Sequence, residues 1–202
     1  DKRPFTEQEA ASFLSILRAN ADKRPVDLLV TEILAVTGMR LEEAAALNTD
    51  NVSVAKADGV LWLHVRRSKN GSARRVPVVD AHVVNKIMQR ANRLSDAPLF
   101  PELDPDRFDD RSSALSKRLG RQLRQRVTMD RSLVACHGWR HRAQTLMEHA
   151  DVPLTTAEAV VGHKRVGEGA GRYSKGPSDA QLIQAVRAVT LPISVSQGIE
   201  DA

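Results

Sequence analysis

The sequence predicts an α+β domain, mainly helical, with one small three-stranded antiparallel sheet. Three observations predict it: apolar residues recur at helical spacing through most of the chain, β-like runs are confined to residues 51–79, and turn or proline signals separate the segments. At 202 residues the chain suits one domain. With 42% hydrophobic and 27% charged residues, a globule of this size buries roughly 70% of its unfolded surface. No linker divides 1–202, no repeat recurs, and 191–202 read as a tail.

The first helix starts at Thr6, whose spacing to Glu9 makes a capping box, and continues through Phe13, Leu14 and Leu17 to about Asn20. Pro25 opens the second, whose Leu28, Leu29, Ile33, Leu34 and Val36 run to Gly38. A short third spans about 41–47. NVSVA at 51–55, VLWLHV at 60–65 and RVPVV at 75–79 read as strands, the first two joined by a turn at 57–59. Helical patterns resume at 80–94, 111–126, 138–150, 154–162 and 178–189, divided by Pro98, Pro101, Pro105, Pro153 and the GEGAG run at 167–171.

Composition excludes several classes of function. No stretch approaches the roughly 20 apolar residues that cross a bilayer, and the charged start, DKRPFTEQEA, is no export signal. A soluble, cytoplasmic protein without a membrane partner is expected. The lone Cys136 makes no intrachain disulfide, and no Cys/His cluster has zinc spacing, so a structural metal is not expected. Aromatics are only 3%, with a single tyrosine, Tyr173, which disfavours single-strand binding by base stacking.

Lys and Arg exceed Asp and Glu by 30 − 25 = 5, a mild excess that understates the clustering. RRSKNGSARR at 66–75 holds Arg66, Arg67, Lys69, Arg74 and Arg75 and no acid, and 111–126 holds six basic residues, Arg118 and Arg121 among them, and no acid. Like charges crowded on paired strands repel unless an anion is supplied. The hairpin therefore reads as a phosphate-facing element, and double-stranded DNA as the partner, bound by counterion release. The 111–126 helix reads equally as a solvated cationic face.

Four pieces hold candidate chemistry: TGMRLEE at 37–43, RRSKNGSARRVPV at 66–78, HGWRHRA at 137–143 and VVGHKRVGEGAGRYSKG at 160–176. Arg40 and Glu43, three apart, are by themselves an ordinary ion pair, yet an arginine at a tight break can also fork two phosphate oxygens. Lys69 precedes the turn signal Asn70-Gly71 and is either an exposed turn lysine or a general acid. His137 and Arg140 share a helix face. Trp139 reads as core, and His141 as a structural residue facing away from them. Cys136 beside His137 suggests a thiol protease only weakly, since adjacent residues seldom converge.

In this order and spacing the pieces resemble the catalytic domain of tyrosine recombinases, the phage-integrase type of site-specific DNA recombinase, over about 6–190. The resemblance implies a catalytic set of Arg40, Lys69, His137, Arg140, His163 and Tyr173. The two arginines would grip the scissile phosphate, Lys69 would protonate the leaving 5′ oxygen, His137 would bond a phosphate oxygen or carry the tyrosine proton, and His163 would donate to the phosphate. Tyr173 would be the nucleophile and Glu43 would orient Arg40. Arg66, Arg67, Arg74, Arg75, Arg118, Arg121, Lys164 and Arg172 are the expected DNA contacts.

The implied reaction cleaves and rejoins DNA through a 3′-phosphotyrosyl intermediate without metal, ATP or any cofactor. Two positions depart from the family pattern without removing a reacting group: Val161 where Leu is usual, and Ala170 where Thr is common. The resemblance further implies a homotetramer on DNA that exchanges a C-terminal segment, here 178–202, in a bacterial or phage-derived, nucleoid-associated protein. An N-terminal core-binding domain is expected to be absent from this chain. A type IB topoisomerase-like enzyme and an inactive DNA-binding regulator are the alternatives, distinguished by strand exchange and by covalent linkage to DNA.

Overall fold

The computed structural model describes residues 2–55, 59–66, 73–163 and 176–192. Eight helices and three strands follow one another among them: α1 (Glu7–Ala19), α2 (Pro25–Thr37), α3 (Leu41–Ala45), β1 (Val52–Val54), β2 (Leu61–Val65), β3 (Arg74–Val78), α4 (Ala81–Arg93), α5 (Ser113–Arg126), α6 (Ala135–His149), α7 (Leu154–Val161) and α8 (Asp179–Arg187). A single 3-10 turn, Thr49–Asn51, leads into β1. None of these helices is long and apolar enough to cross a membrane.

The predicted helix starts are chemical. Thr6 accepts from the Glu9 amide at 3.2 Å while the Glu9 carboxylate accepts from the Thr6 amide at 3.0 Å, which satisfies two amides that α1 leaves unpaired. Pro25 occupies the first turn of α2, where its missing N–H costs nothing. Gly38 ends that helix with φ 65°. An added Cβ there would lie 2.8 Å from the Ala143 Cβ and 3.1 Å from Val161 Cγ1, so glycine brings α2 close to α6 and α7.

Helix α2 is the central rod, buried along nearly its whole length and packed against α1, α3, α4 and α6. Its two buried acids find cations on neighbouring helices: Asp27 takes a two-pronged bond from Arg118 at 2.7 and 3.0 Å, and Glu32 accepts from Lys86 at 2.8 Å. The sheet has the order β1-β2-β3, antiparallel throughout. Leu63 pairs with Val52 and Val76, and Val65 with Arg74. Pro77 lies on the edge strand β3, where a missing donor is tolerated.

Among the boundaries that differ from the sequence reading by a few residues, two bear on the site. Helix α6 begins at Ala135, three residues before the expected Gly138. That glycine lies inside the helix, where Phe5 and Leu133 press on it; a Cβ would come within 2.6 Å of Leu133 Cδ1 and 2.9 Å of Phe5 Cδ2. Strand β3 begins at Arg74, one residue early, which turns the Arg74 side chain to the face of Val76 and Val78.

Candidate active site

Three chain segments meet beside the C-terminus of α2. The residue that opens α3, Arg40, has an extended backbone and a side chain about one-fifth exposed. Its Nη1 donates to Glu43 Oε1 at 3.1 Å, and its backbone N–H donates to Glu43 Oε2 at 3.0 Å. One carboxylate thus fixes both ends of the arginine. Glu43 is itself buried. Burial pushes its carboxyl pKa up, and the Arg74 and Arg40 hydrogen bonds and charges more than offset this, leaving it below the ordinary value.

Arg140 enters from α6 and is almost fully buried. Its Nη1 donates to the carbonyls of Gly38, at 3.1 Å, and Val161. Its Nη2 is buried with no partner among the described residues. Burial, and then the Arg40 charge, lower its pKa from the ordinary 12.5 to about 10. Among the described residues one donor of this buried cation is thus left without an acceptor, a cost that a bound anion removes.

The imidazoles complete the cluster. His137 lies in the first turn of α6, where the helix dipole adds positive potential. Partial burial first, then His141, Arg140 and Arg40, depress its pKa. His163 follows the Gly162 cap of α7, and its Nδ1 accepts from the Gln144 Nε2 amide at 3.4 Å. Partial burial, then Arg140 and Arg40, depress it as well. Arg40 and Arg140 therefore act electrostatically on both imidazoles, and Arg40 on Arg140, with Glu43 as the carboxylate in direct contact with Arg40.

His141 does not face away. One helical turn after His137, its ring packs edge-on against the His137 ring, centroids 5.2 Å apart. Trp139 is core, its ring tilted against that of Phe5 with centroids 4.4 Å apart. Burial pushes the Cys136 thiol up to about 12, which leaves essentially no thiolate at neutral pH and ends the thiol-protease reading. Among the described residues no group of three or more His, Cys, Asp or Glu side chains could hold a metal ion.

The expected DNA contacts divide. Arg74 is not an exposed cation: its side chain is 10% exposed and its donors are spent on Glu43, Val160 and Val161. Arg118 is bound to Asp27. Both depart from the sequence reading, because neighbours far along the chain supply acceptors that no local pattern reveals. Arg66 pairs with Asp50, and Arg75 pairs with Asp179 at 2.7 Å while stacking over Trp62; both side chains remain about half exposed or more. Arg121 is exposed on α5. Arg67, Lys69, Lys164, Arg172 and Tyr173 lie outside the described residues.

Sequence reasoning missed Arg74, Gln144 and His141 as neighbours of the site. Strand alternation signals the first, since Arg74 has the parity of Val76 and Val78. Helical spacing from His137 and Arg140 signals the other two.

Comparison with protein families decides what this constellation belongs to. The model of the phage integrase family matches residues 3–175. The chain belongs to the phage integrase family. Comparison with curated proteins finds no match. Among solved structures, this family member resembles the XerH site-specific recombinase bound to difH substrate in a pre-cleavage complex, with a TM-score of 0.58, 21% identity, 81% of this chain and 48% of that chain covered. It also resembles the XerH post-cleavage complex on a palindromic difH substrate, at TM-score 0.56 and 18% identity, over 81% of this chain and 47% of that one. The integrase chain thus spans about half the length of these recombinases and shares their fold.

Proposed function

We propose that this protein is a site-specific DNA recombinase that breaks and rejoins strands through a covalent 3′-phosphotyrosyl intermediate. The observation that carries the proposal is the convergence of Arg40, Arg140, His137 and His163, from three chain segments, on a place where the two arginines lower the proton affinity of both imidazoles, Arg40 lowers that of Arg140, and Arg140 keeps a donor with no partner among the described residues. A phosphodiester supplies the missing anion. Two nonbridging oxygens match two guanidinium forks.

In the proposed reaction the Tyr173 hydroxyl attacks phosphorus and gives up its proton, and the bond from phosphorus to the 5′ oxygen breaks. Lys69 gives the leaving oxygen a proton. Tyrosine, with a pKa near 10, needs a base at neutral pH. His137 and His163, both held below the ordinary histidine value, are unprotonated there and able to accept. Charge that grows on the phosphate oxygens falls on guanidinium groups already in place, the role a divalent ion fills in many nucleases. A second 5′ hydroxyl then attacks the phosphotyrosyl bond by the reverse path. One ester replaces another, so no ATP is required.

The partner is duplex DNA, with the exposed parts of Arg66, Arg75 and Arg121, together with Arg67, Lys164 and Arg172, contributing phosphate contacts. Four copies would act on two sites, in a reducing cytoplasm. Helix α8 seats on α7 and β3 of its own chain, so of the segment 178–202 the portion after Leu191 is the one to be exchanged between copies.

The test is covalent capture. Incubated with a pool of nicked duplexes randomised around the nick, the protein is expected to become linked to a selected strand, and peptide mapping to find the link at Tyr173. Tyr173→Phe should form no adduct and bind DNA as before. An adduct in that variant, or none with the unaltered protein, would remove the reading.

A further inference from the structure

Strand β3 sends one basic side chain to the interior. The Arg74 Nη1 and Nη2 donate to the two oxygens of Glu43 at 2.9 and 2.6 Å, Nε donates to the Val160 carbonyl at 3.1 Å, and Nη2 also donates to the Val161 carbonyl at 3.1 Å. Glu43 Oε1 is shared with the Arg40 guanidinium. The Val161 carbonyl is shared with the Arg140 guanidinium. Arg74 is therefore the one side chain described here that touches a partner of each phosphate-gripping arginine.

The backbone is shaped around it. Gly162 ends α7 at φ 78°, and a Cβ there would sit 2.4 Å from Arg74 Cζ and 2.5 Å from its Nη1. The guanidinium lies flat against a site that only glycine leaves open, one residue before His163. Bidentate pairing to a buried carboxylate is specific to the planar fork, which a lysine ammonium cannot reproduce.

We infer that Arg74 is a positioning residue: by clamping Glu43 and the end of α7 it sets the relative placement of Arg40, Arg140 and His163, and it latches to them the strand that begins five residues after Lys69. The inference rests on the recombinase reading of the site and adds to it a role that phosphate contact does not describe. Displacing a gripping arginine by about 1 Å is enough to cost on the order of 10²-fold in rate.

Arg74→Ala, Arg74→Lys and the double variant Arg74→Ala/Glu43→Gln test it, on the duplex that the unaltered protein selects from the nicked pool. Single-turnover cleavage at saturating DNA is expected to fall on the order of 10²-fold in Arg74→Ala, with partial recovery in Arg74→Lys. DNA affinity and its salt dependence should stay as they were. Without Arg74 the Glu43 carboxyl loses the partner that chiefly holds it down, so the acidic limb of the cleavage profile should move to higher pH in Arg74→Ala. The double variant should lack that movement and cleave no more slowly than the single one.

A salt slope reduced by about one phosphate, with cleavage at saturation unchanged, would make Arg74 a DNA contact and overturn the inference. An unmoved acidic limb with additive losses would make it a structural support only, and would also overturn it. Urea unfolding checks each variant, and if Arg74→Ala does not fold, the pH profile and salt slope of Arg74→Lys decide. An unaltered protein that forms no adduct removes the recombinase reading and this inference together. An active one indifferent to Arg74 removes the inference alone.

Discussion

Replacing Arg140 by Met should cost activity while leaving stability level or raised. At neutral pH the buried guanidinium opposes folding: its pKa is lowered from 12.5 to about 10 by burial and then by Arg40, and a base that binds its proton less tightly when folded penalises the fold at every pH below that value. At about 1.4 kcal/mol per pKa unit the penalty is about 3 kcal/mol, fading only as pH rises from about 10 towards 12.5. Against this, Met leaves the Gly38 carbonyl without its Arg140 donor, which costs about 1–3 kcal/mol; the Val161 carbonyl keeps Arg74. The net is a change of about 0 to 2 kcal/mol in favour of the folded state. Loss of one phosphate-stabilising group removes on the order of 3 to 4 kcal/mol from the transition state, so cleavage should fall roughly 10² to 10³-fold. Urea unfolding at constant m value and single-turnover cleavage of the selected duplex measure the two effects. Destabilisation by more than about 2 kcal/mol with cleavage retained would show a structural clamp in place of a phosphate fork.

Arg118→Met should act in the opposite sense. It strands Asp27, which is 2% exposed, and should destabilise the fold by about 3 kcal/mol with the salt slope of DNA binding unchanged; an unaltered unfolding midpoint with a slope lowered by about one would restore Arg118 as a DNA contact. The free protein should also lose stability as pH falls below 6.5, because His137 and His163 are depressed below that ordinary value by partial burial and the neighbouring arginines. A histidine depressed in the folded state contributes stability that is present above its unfolded pKa and lost as pH falls through the folded one. His137→Gln/His163→Gln should flatten that decline in thermal unfolding, and a decline as steep in this variant would place its origin elsewhere.

Local chemistry made most of the fold legible. Thr6 and Glu9, Pro25 and Gly38 each mark a boundary through a group that acts within its own turn. The start of α6 was not legible, since the helical pattern is readable only from 138 on, and Gly138 becomes a contact surface only once Phe5, over a hundred residues earlier, lies against it. The paired arginines and imidazoles could be named from the sequence because motif order preserves them. The employment of Arg74 and Arg118 could not, because Glu43 and Asp27 are brought to them by packing. Basic runs in a sequence thus overstate the free cationic surface, one member of each of the two here being consumed by a buried carboxylate.

The most direct measurement concerns the charge on the phosphate itself. A duplex whose scissile phosphate is replaced by a neutral methylphosphonate presents no anion for Arg140 to neutralise. Arg140→Met should therefore cleave that duplex nearly as fast as the unaltered protein does, whereas on the ordinary phosphate it lags by roughly 10² to 10³-fold. An equal lag on both duplexes would contradict the account, since the arginine would then be serving something other than phosphate charge.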